Sequence, residues 1–277
     1  MRRLLIRPGA IGDTILCFPA LEALRADYTE VWCREEVVPL VKFADHAESI
    51  VRTGLDGTEW SGRLRERLAS FDEIVSWYGA QREDFRAALT QVNPHVRFLN
   101  ALPQVMSTTE HAIDFYLGQI GAAPGAMPRI PVRRDQGHYA VVHPFSGSPE
   151  KNWPLERFAQ VARELECEMP VFWSAGPEEP LNTATRFERL DDLADWLAGA
   201  DVYIGNDSGI THLAAAVGTP VVALFGPTDS RVWGPRGERV EIIQRARLEE
   251  ITVHDVLAAI ARLLSAYDSC LGAGAAG

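Results

Sequence analysis

The sequence predicts an α/β fold in two domains, each a parallel β-sheet covered on both faces by helices. Short apolar runs of strand length alternate with amphipathic helical stretches along nearly the whole chain, the pattern of β-α-β units. The alternation breaks over Gly121–Gly137, GAAPGAMPRIPVRRDQG, which carries three prolines and no periodicity and reads as a linker. At 277 residues the chain is also long for one hydrophobic core. These observations place a first domain at 1–137, a second at 138–268, and a tail of small residues at 269–277 that is expected to be disordered.

The elements follow in order. Leu4–Arg7 is a short apolar strand, and Gly9–Asp13 is a turn leading into a helix that runs to about Ala26. Ile15, Phe18, Leu21 and Leu24 recur at helical spacing. Pro19 breaks the hydrogen-bond ladder beyond a first turn, so a kink or a helix start near Pro19 is expected. Glu30–Cys33 and Ser49–Thr53 read as strands, with Glu36–Phe43 helical between them, then a helix at Ser61–Ser70, a strand at Glu73–Trp77 and a helix at Arg82–Gln91. In the second domain, strands are expected at Tyr139–His143, Pro170–Ser174, Asp201–Asn206 and Val221–Phe225, with helices at Leu155–Glu166, near Leu190–Leu197 and at His212–Val217. Val253, Val256, Leu257, Ile260 and Leu263 share one face of Thr252–Leu264, a terminal helix packed by that face.

Composition excludes several classes. There are 27 Lys and Arg against 38 Asp and Glu, a net charge of −11 and a pI of about 5.1. That balance argues against nucleic acid as a partner. Arg7, Pro8 and Asp13 interrupt the N-terminal apolar run, so it lacks a signal-peptide core. No stretch reaches the roughly 18 uninterrupted apolar residues of a membrane span. Cys17, Cys33, Cys167 and Cys270 lie far apart with no CxxC pair, so neither a zinc site nor a disulfide framework is signalled, and reduced thiols in the cytoplasm are expected.

Three stretches carry candidate chemistry, and each follows a strand. In open α/β sheets ligands bind beyond the carboxyl ends of strands, so two such domains facing each other would line a cleft with all three. In RPGAIGD, Gly9 and Gly12 let the backbone turn close to a ligand; Asp13 is either a helix-dipole partner or a general base for an attacking hydroxyl. The stretch lacks the GxGxxG spacing, which disfavours a nicotinamide enzyme. HPFSGSPEKNWP offers Ser146, Gly147 and Ser148 as donors and Lys151 as a cation for a diphosphate, although a lysine in a loop is also commonly just solvated. Trp153 reads as packing. In GNDSGITH, Asn206, Asp207, Ser208, Gly209 and His212 bracket a helix N-terminus, where unpartnered N–H groups favour an anion; as plain structure, the same turn is a capped helix. His143 and His212 lack zinc-ligand spacing, and GNDSG is not a GxSxG nucleophile elbow.

Taken together, IRPGAIGDTILCFPALEALR, HPFSGSPEKNWPLERFAQVARELE and GNDSGITHLAAAVGTPVVALFGPTD resemble the ADP-heptose:lipopolysaccharide heptosyltransferase family, glycosyltransferase family 9. The resemblance implies a GT-B fold: two Rossmann-like domains facing each other across a cleft, the acceptor held mainly by the N-terminal domain and the nucleotide sugar by the C-terminal one. It implies an inverting transfer, independent of a metal or other cofactor, from a nucleotide-sugar donor (an ADP-sugar, with heptose the family's sugar) to a saccharide or glycolipid hydroxyl, as in lipopolysaccharide core assembly. By the resemblance Asp13 is the base, Lys151 touches phosphate, Ser146 and Ser148 belong to the phosphate loop, and Asp207, Ser208, Gly209 and His212 form the donor-binding turn. Thr228, in GPTD, matches a family motif of largely structural role. A cytoplasmic enzyme in peripheral contact with the inner membrane is the corresponding location; oligomeric state is not indicated. Two departures stand out. The region from about Asp72 to Asn100 is short and lacks a DLQG-like stretch, which leaves the acceptor open, and the region after Gly237 lacks the cysteine-containing segment of many relatives.

Other readings use the same residues. A nucleotide-sugar hydrolase or epimerase also needs a diphosphate cradle and a carboxylate, and it would release nucleotide without an acceptor. A non-catalytic nucleotide-sugar-binding module needs the cradle alone and would show no turnover.

Overall fold

A computed structural model of the chain describes residues 1–103, 109–134 and 137–274. They form two compact units, Met1–Ile130 and Pro131–Gly277. The division precedes the expected 137/138 boundary because the strap after Pro131 is bonded to the second unit. The Arg133 N–H donates to Asp195 Oδ1 (2.9 Å), Arg134 Nη2 reaches the Val217 and Gly218 carbonyls (3.4 Å each), and the Gly137 N–H donates to the Gly199 carbonyl (3.2 Å).

Unit 1 contains β1 (Arg2–Ile6), α1 (Ile11–Ala23), β2 (Tyr28–Cys33), β3 (His46–Ser49), α2 (Ile50–Thr53), α3 (Gly62–Ala69), β4 (Glu73–Ser76), α4 (Glu83–Val92), β5 (Val96–Phe98) and α5 (Ala112–Gln119). Its five strands are all parallel, in the order β3-β2-β1-β4-β5. α1 begins at Ile11 and runs through Pro19, in place of a start near the proline. Burial of Ile15, Leu16, Phe18 and Leu21 offsets the roughly 3 kcal/mol that an interior proline costs. The helix expected at Glu36–Phe43 is a 3₁₀ segment, Glu35–Leu40, interrupted by Pro39, which has no N–H to donate. Ser49–Thr53 is not a strand. The edge strand is the polar His46–Ser49, and Ile50 starts one helical turn ended by Gly54 at φ 76°, a left-handed conformation suited to glycine.

Unit 2 contains β6 (Ala140–His143), α6 (Leu155–Leu165), β7 (Val171–Trp173), α7 (Leu190–Ala198), β8 (Val202–Asn206), α8 (Gly209–Ala216), β9 (Val221–Phe225), α9 (Ser230–Trp233), β10 (Val240–Gln244) and α10 (Val253–Gly274). Its parallel sheet is ordered β10-β9-β8-β6-β7. Ala140, Val142, Val202, Ile204, Val222 and Leu224 recur at period two and pack against Phe158, Val161 and Leu165 of α6 and Val256, Ile260 and Leu263 of α10. Val141, Tyr203, Val221, Ala223 and Phe225 are buried as well, as strands covered on both faces require. Residues 269–274, expected to be disordered, continue α10. Thr252 to Leu271 contains neither proline nor glycine, so nothing local stops the helix at 268. Residues 275–277 lie outside the described residues.

Both sheets reverse direction once in strand order. In unit 1 the chain builds outward from β1 to β3 and then returns to place β4 on the other side of β1; in unit 2 the same happens between β6 and β8. At such a switch point the segments leaving the two central strands diverge and open a crevice beyond their carboxyl ends. RPGAIGD follows β1, PFSGSPEKNWP follows β6, and DSG follows β8.

One polar cluster is built into the unit 1 sheet. Glu30 on β2 is 3% exposed; it accepts from Trp32 Nε1 (2.7 Å) and pairs with Arg67 of α3, which also reaches Glu48 Oε2 at 2.6 Å. Removing the cation leaves a buried carboxylate uncompensated. Arg67→Met is expected to lower stability by about 3 kcal/mol in urea denaturation, with part of the loss recovered by adding Glu30→Gln. A loss below about 0.5 kcal/mol would show that the pair behaves as an exposed one.

Candidate functional site

Unit 2 brings the loop after β6, with Ser146, Gly147, Ser148 and Lys151, and the turn after β8, with Asp207, Ser208, Gly209 and His212, to its switch point. Asn206, the last residue of β8, is fully buried. Its Nδ2 donates to the Pro144 carbonyl (2.7 Å), and its Oδ1 accepts from the Trp153 N–H (3.0 Å). One amide thus fixes both ends of the loop that leaves β6. Asn206, expected among the donor contacts, has both ends of its side chain committed to protein and ties the end of β8 to the loop after β6. Trp153 packs edge-on against Phe158 and donates Nε1–H to the Ile251 carbonyl (3.1 Å), so its role is packing.

Within the loop, the Ser146 hydroxyl donates to the Ser148 carbonyl (2.7 Å), has Asn152 Oδ1 at 2.8 Å, and accepts from the Ser148 N–H (3.4 Å). It shapes the loop. A Cβ added at Gly147 would enter open space, so no packing constraint requires glycine there. Lys151 ends the short 3₁₀ turn Pro149–Lys151, and its Nζ lies 2.7 Å from Asp207 Oδ2. Asp207 is 8% exposed and its N–H continues the ladder to the Leu224 carbonyl (3.0 Å). This ion pair joins the β6 loop to the β8 turn.

Ser208 caps α8: its Oγ accepts from the Thr211 N–H (3.3 Å), and its carbonyl accepts from the His212 N–H (3.3 Å). The fully buried Thr211 hydroxyl donates to the Asn206 carbonyl (2.5 Å) and lies 3.1 Å from Tyr203 Oη. A Cβ at Gly205 would come within 2.5 Å of that phenol oxygen, which explains the glycine before Asn206. Gly209 opens α8, and His212, in its first turn, is buried at 5% exposure. The GPTD turn is clamped from β10, where Gln244 Nε2 donates to the Gly226 carbonyl (2.7 Å) and Oε1 accepts from the Ser230 N–H (2.9 Å).

In unit 1, Gly9 lies between β1 and α1, whereas Gly12 and Asp13 sit in the first turn of α1, not in a loop. A Cβ at Gly9 would lie 2.5 Å from Arg7 Nη1, so a side chain there would displace the guanidinium. Arg7 and Tyr116, which contacts it through the hydroxyl at 3.1 Å, were not singled out in the sequence. Arg7 reads there as a strand end, and α5 gives too short a pattern beside the linker. Burial pushes the neighbouring Cys17 thiol up to about 11, with Arg7 opposing the shift.

His143 is held neutral. Burial lowers its pKa to about 4, while Nδ1 at 3.1 Å from the Ser174 carbonyl favours the charged form in part. Among the described residues, Glu30, His46 and Glu48 bring metal-ligand atoms within 4.8 Å of one another. Arg67 already supplies the positive charge in that cluster, so it is accounted for by ion pairing.

Residues 77–258 match the sequence profile of glycosyltransferase family 9 (heptosyltransferase). The chain belongs to this family. It is similar to lipopolysaccharide heptosyltransferase 3 of Escherichia coli, 22% identical over 333 aligned positions covering 91% of this chain and 96% of that one. Lipooligosaccharide heptosyltransferase 2 of Haemophilus influenzae is 31% identical over 123 positions, 38% of this chain and 36% of its own. Among solved structures, ADP-heptose lps heptosyltransferase II of E. coli superposes with a TM-score of 0.74 at 18% identity, covering 97% of this chain and all of that one. The fold is GT-B, with two Rossmann-like units, and the protein is a glycosyltransferase of the heptosyltransferase family.

The buried neutral His143 predicts a pH dependence of stability. Its ring binds a proton below about 6.5 when unfolded but only below about 4 when folded. The unfolded state therefore takes up more protons between these values, and stability falls with pH across that window. Between pH 7 and 5 the wild type should lose about 2 kcal/mol more than His143→Gln in parallel urea titrations; equal losses would show that the imidazole is not held neutral.

Proposed function

We propose that the protein transfers heptose from ADP-heptose to a hydroxyl of a lipopolysaccharide-type glycolipid, by inverting displacement and without a metal. The observation that carries this reading is the Lys151–Asp207 pair, 2.7 Å long, at the crevice where the β6 loop and the α8 N-terminus converge. It puts a cation and a helix end at the one place in unit 2 where the topology favours a ligand. The names of the relatives support the chemistry: lipopolysaccharide heptosyltransferase 3 aligns over 91% of the chain, and the superposed structure is that of an ADP-heptose enzyme.

In this mechanism Asp13 accepts the proton of the acceptor hydroxyl, whose oxygen attacks the anomeric carbon. The bond from that carbon to the distal phosphate oxygen breaks, and ADP leaves with the electron pair. The charge that develops on the leaving diphosphate is met by Lys151, by the loop N–H groups around Ser146, Gly147 and Ser148, and by the Gly209 and Ile210 N–H groups, which precede the first intrahelical bonds of α8. Lys151 exchanges its contact with Asp207 for one with phosphate, and Asp207 is then available to a sugar hydroxyl. Since Lys151 and the helix end supply the positive charge, turnover should persist in EDTA.

Unit 2 binds the donor and unit 1 the acceptor in this reading. The acceptor being a glycolipid, the enzyme works in peripheral contact with the cytoplasmic face of the inner membrane. Among the described residues no helix is long and apolar enough to cross a membrane.

The test is ADP release from ADP-heptose with heptose-deficient lipopolysaccharide as acceptor, in the presence of EDTA. Asp13→Asn should slow transfer by about 10²–10⁴-fold while still binding donor, and an undiminished rate would reject Asp13 as base. Lys151→Ala should raise the donor Kd about tenfold or more, as loss of a charged hydrogen bond does; unchanged donor affinity would remove it from the phosphate site. ADP release that is independent of acceptor would mark a hydrolase instead.

A further inference from the structure

The end of β1 buries a charge that the proposed mechanism does not use. Arg7 is 3% exposed, and its Nη2 reaches three acceptors from three separate segments: the Asp13 carbonyl in α1 (3.2 Å), the Ala101 carbonyl after β5 (3.2 Å) and the Tyr116 hydroxyl of α5 (3.1 Å). The guanidinium carbon stands 5.3 Å from the Tyr116 ring centroid, and the Tyr116 hydroxyl itself donates to Ala101 (3.1 Å). Gly9 has no side chain where one would strike Nη1. Burying an arginine among carbonyl and hydroxyl oxygens is costly, and apolar residues of similar size often stabilise such a position as well or better. The charge therefore does something that packing alone does not require.

We infer that Arg7 is a positioning residue for Asp13, pinning the first turn of α1 through the Asp13 carbonyl and holding a fixed positive charge within electrostatic reach of its carboxylate. The inference rests on the proposed role of Asp13 as base. The titratable groups around Arg7 are Asp13 and Cys17 on α1 and Tyr116 on α5. Burial raises the Cys17 thiol to about 11 and moves the Tyr116 phenol upward too. Neither titrates in the acid range, so neither contributes an acid limb to the rate profile. A buried nitrogen in contact with three segments resists displacement of that turn, and small displacements of a catalytic group are expensive in rate.

The experiment measures kcat and KM against pH for Arg7→Met and Arg7→Lys, with ADP-heptose and heptose-deficient lipopolysaccharide. Arg7→Met should lower kcat by about 10- to 100-fold, leave the KM for ADP-heptose within about twofold, and move the acid limb of kcat upward by about half a pH unit or more. Arg7→Lys keeps the charge and should return the acid limb to its wild-type position while recovering only part of kcat. An unmoved acid limb in Arg7→Met, or full kcat, overturns the inference. Should Arg7→Met fail to fold, Tyr116→Phe keeps the ring and deletes one acceptor. It should lower kcat about tenfold at unchanged KM, the effect of losing one hydrogen bond from a charged donor, and wild-type kcat would overturn the inference. Asp13→Asn separates the two readings. Full activity in Asp13→Asn removes the base and this inference with it, whereas a slow Asp13→Asn beside an unperturbed Arg7→Met rejects only the role of Arg7.

Discussion

Much of unit 2 depends on the buried amide of Asn206. It terminates β8, accepts from Trp153 at one end of the β6 loop and donates to Pro144 at the other. Without that strut the loop would be joined to its neighbour chiefly through the Lys151–Asp207 pair, which is partly exposed and therefore weak as an anchor. With the strut in place, Ser146, Gly147 and Ser148 are held as a preformed turn beside the capped start of α8. Preformed donors need no reorganisation when charge develops, and such preorganisation makes a phosphate cradle effective.

The polar chain behind this arrangement is continuous. Tyr203, Thr211, Ser208 and the Asn206 carbonyl form one hydrogen-bonded series at the base of the turn, with Gly205 leaving room for the Tyr203 phenol. His143 lies on the neighbouring strand, kept neutral by burial and oriented by the Ser174 carbonyl. The turn after β8 is thus backed by the buried side chains of Tyr203, Asn206, Thr211 and His143. In unit 1 the half-buried Asp13 sits in the first turn of α1, and its carbonyl is bonded by the buried Arg7.

The paired β-α-β pattern was legible because parallel strands buried on both faces leave strong apolar runs, as in Val221–Phe225 and Leu4–Ile6. Elements without such runs were not. β3 is a polar edge strand, β5 has three residues, and β10 buries only Ile243, so none carries a periodic signal. The segment at Ile50 and Val51 misled because apolar character alone does not separate a strand from a helical turn. In the site, the chemistry-bearing loops could be read from residue type and order, since Ser-Gly-Ser and Asp-Ser-Gly announce tight turns at strand ends. The supporting contacts could not. Asn206 looks like a ligand residue in sequence, and only the positions of Pro144 and Trp153 reveal both ends of its side chain committed to protein. Arg7 and Tyr116 are more than a hundred residues apart and share no local pattern.

The central claim is that the β6 loop and the α8 N-terminus form one diphosphate site. Backbone amide NMR of isotope-labelled protein titrated with ADP tests it most directly, because it reports the N–H groups themselves. The account predicts that the largest saturable shifts fall on Gly147, Ser148, Gly209 and Ile210. Shifts confined to other parts of the chain, or none at millimolar ADP, would contradict it.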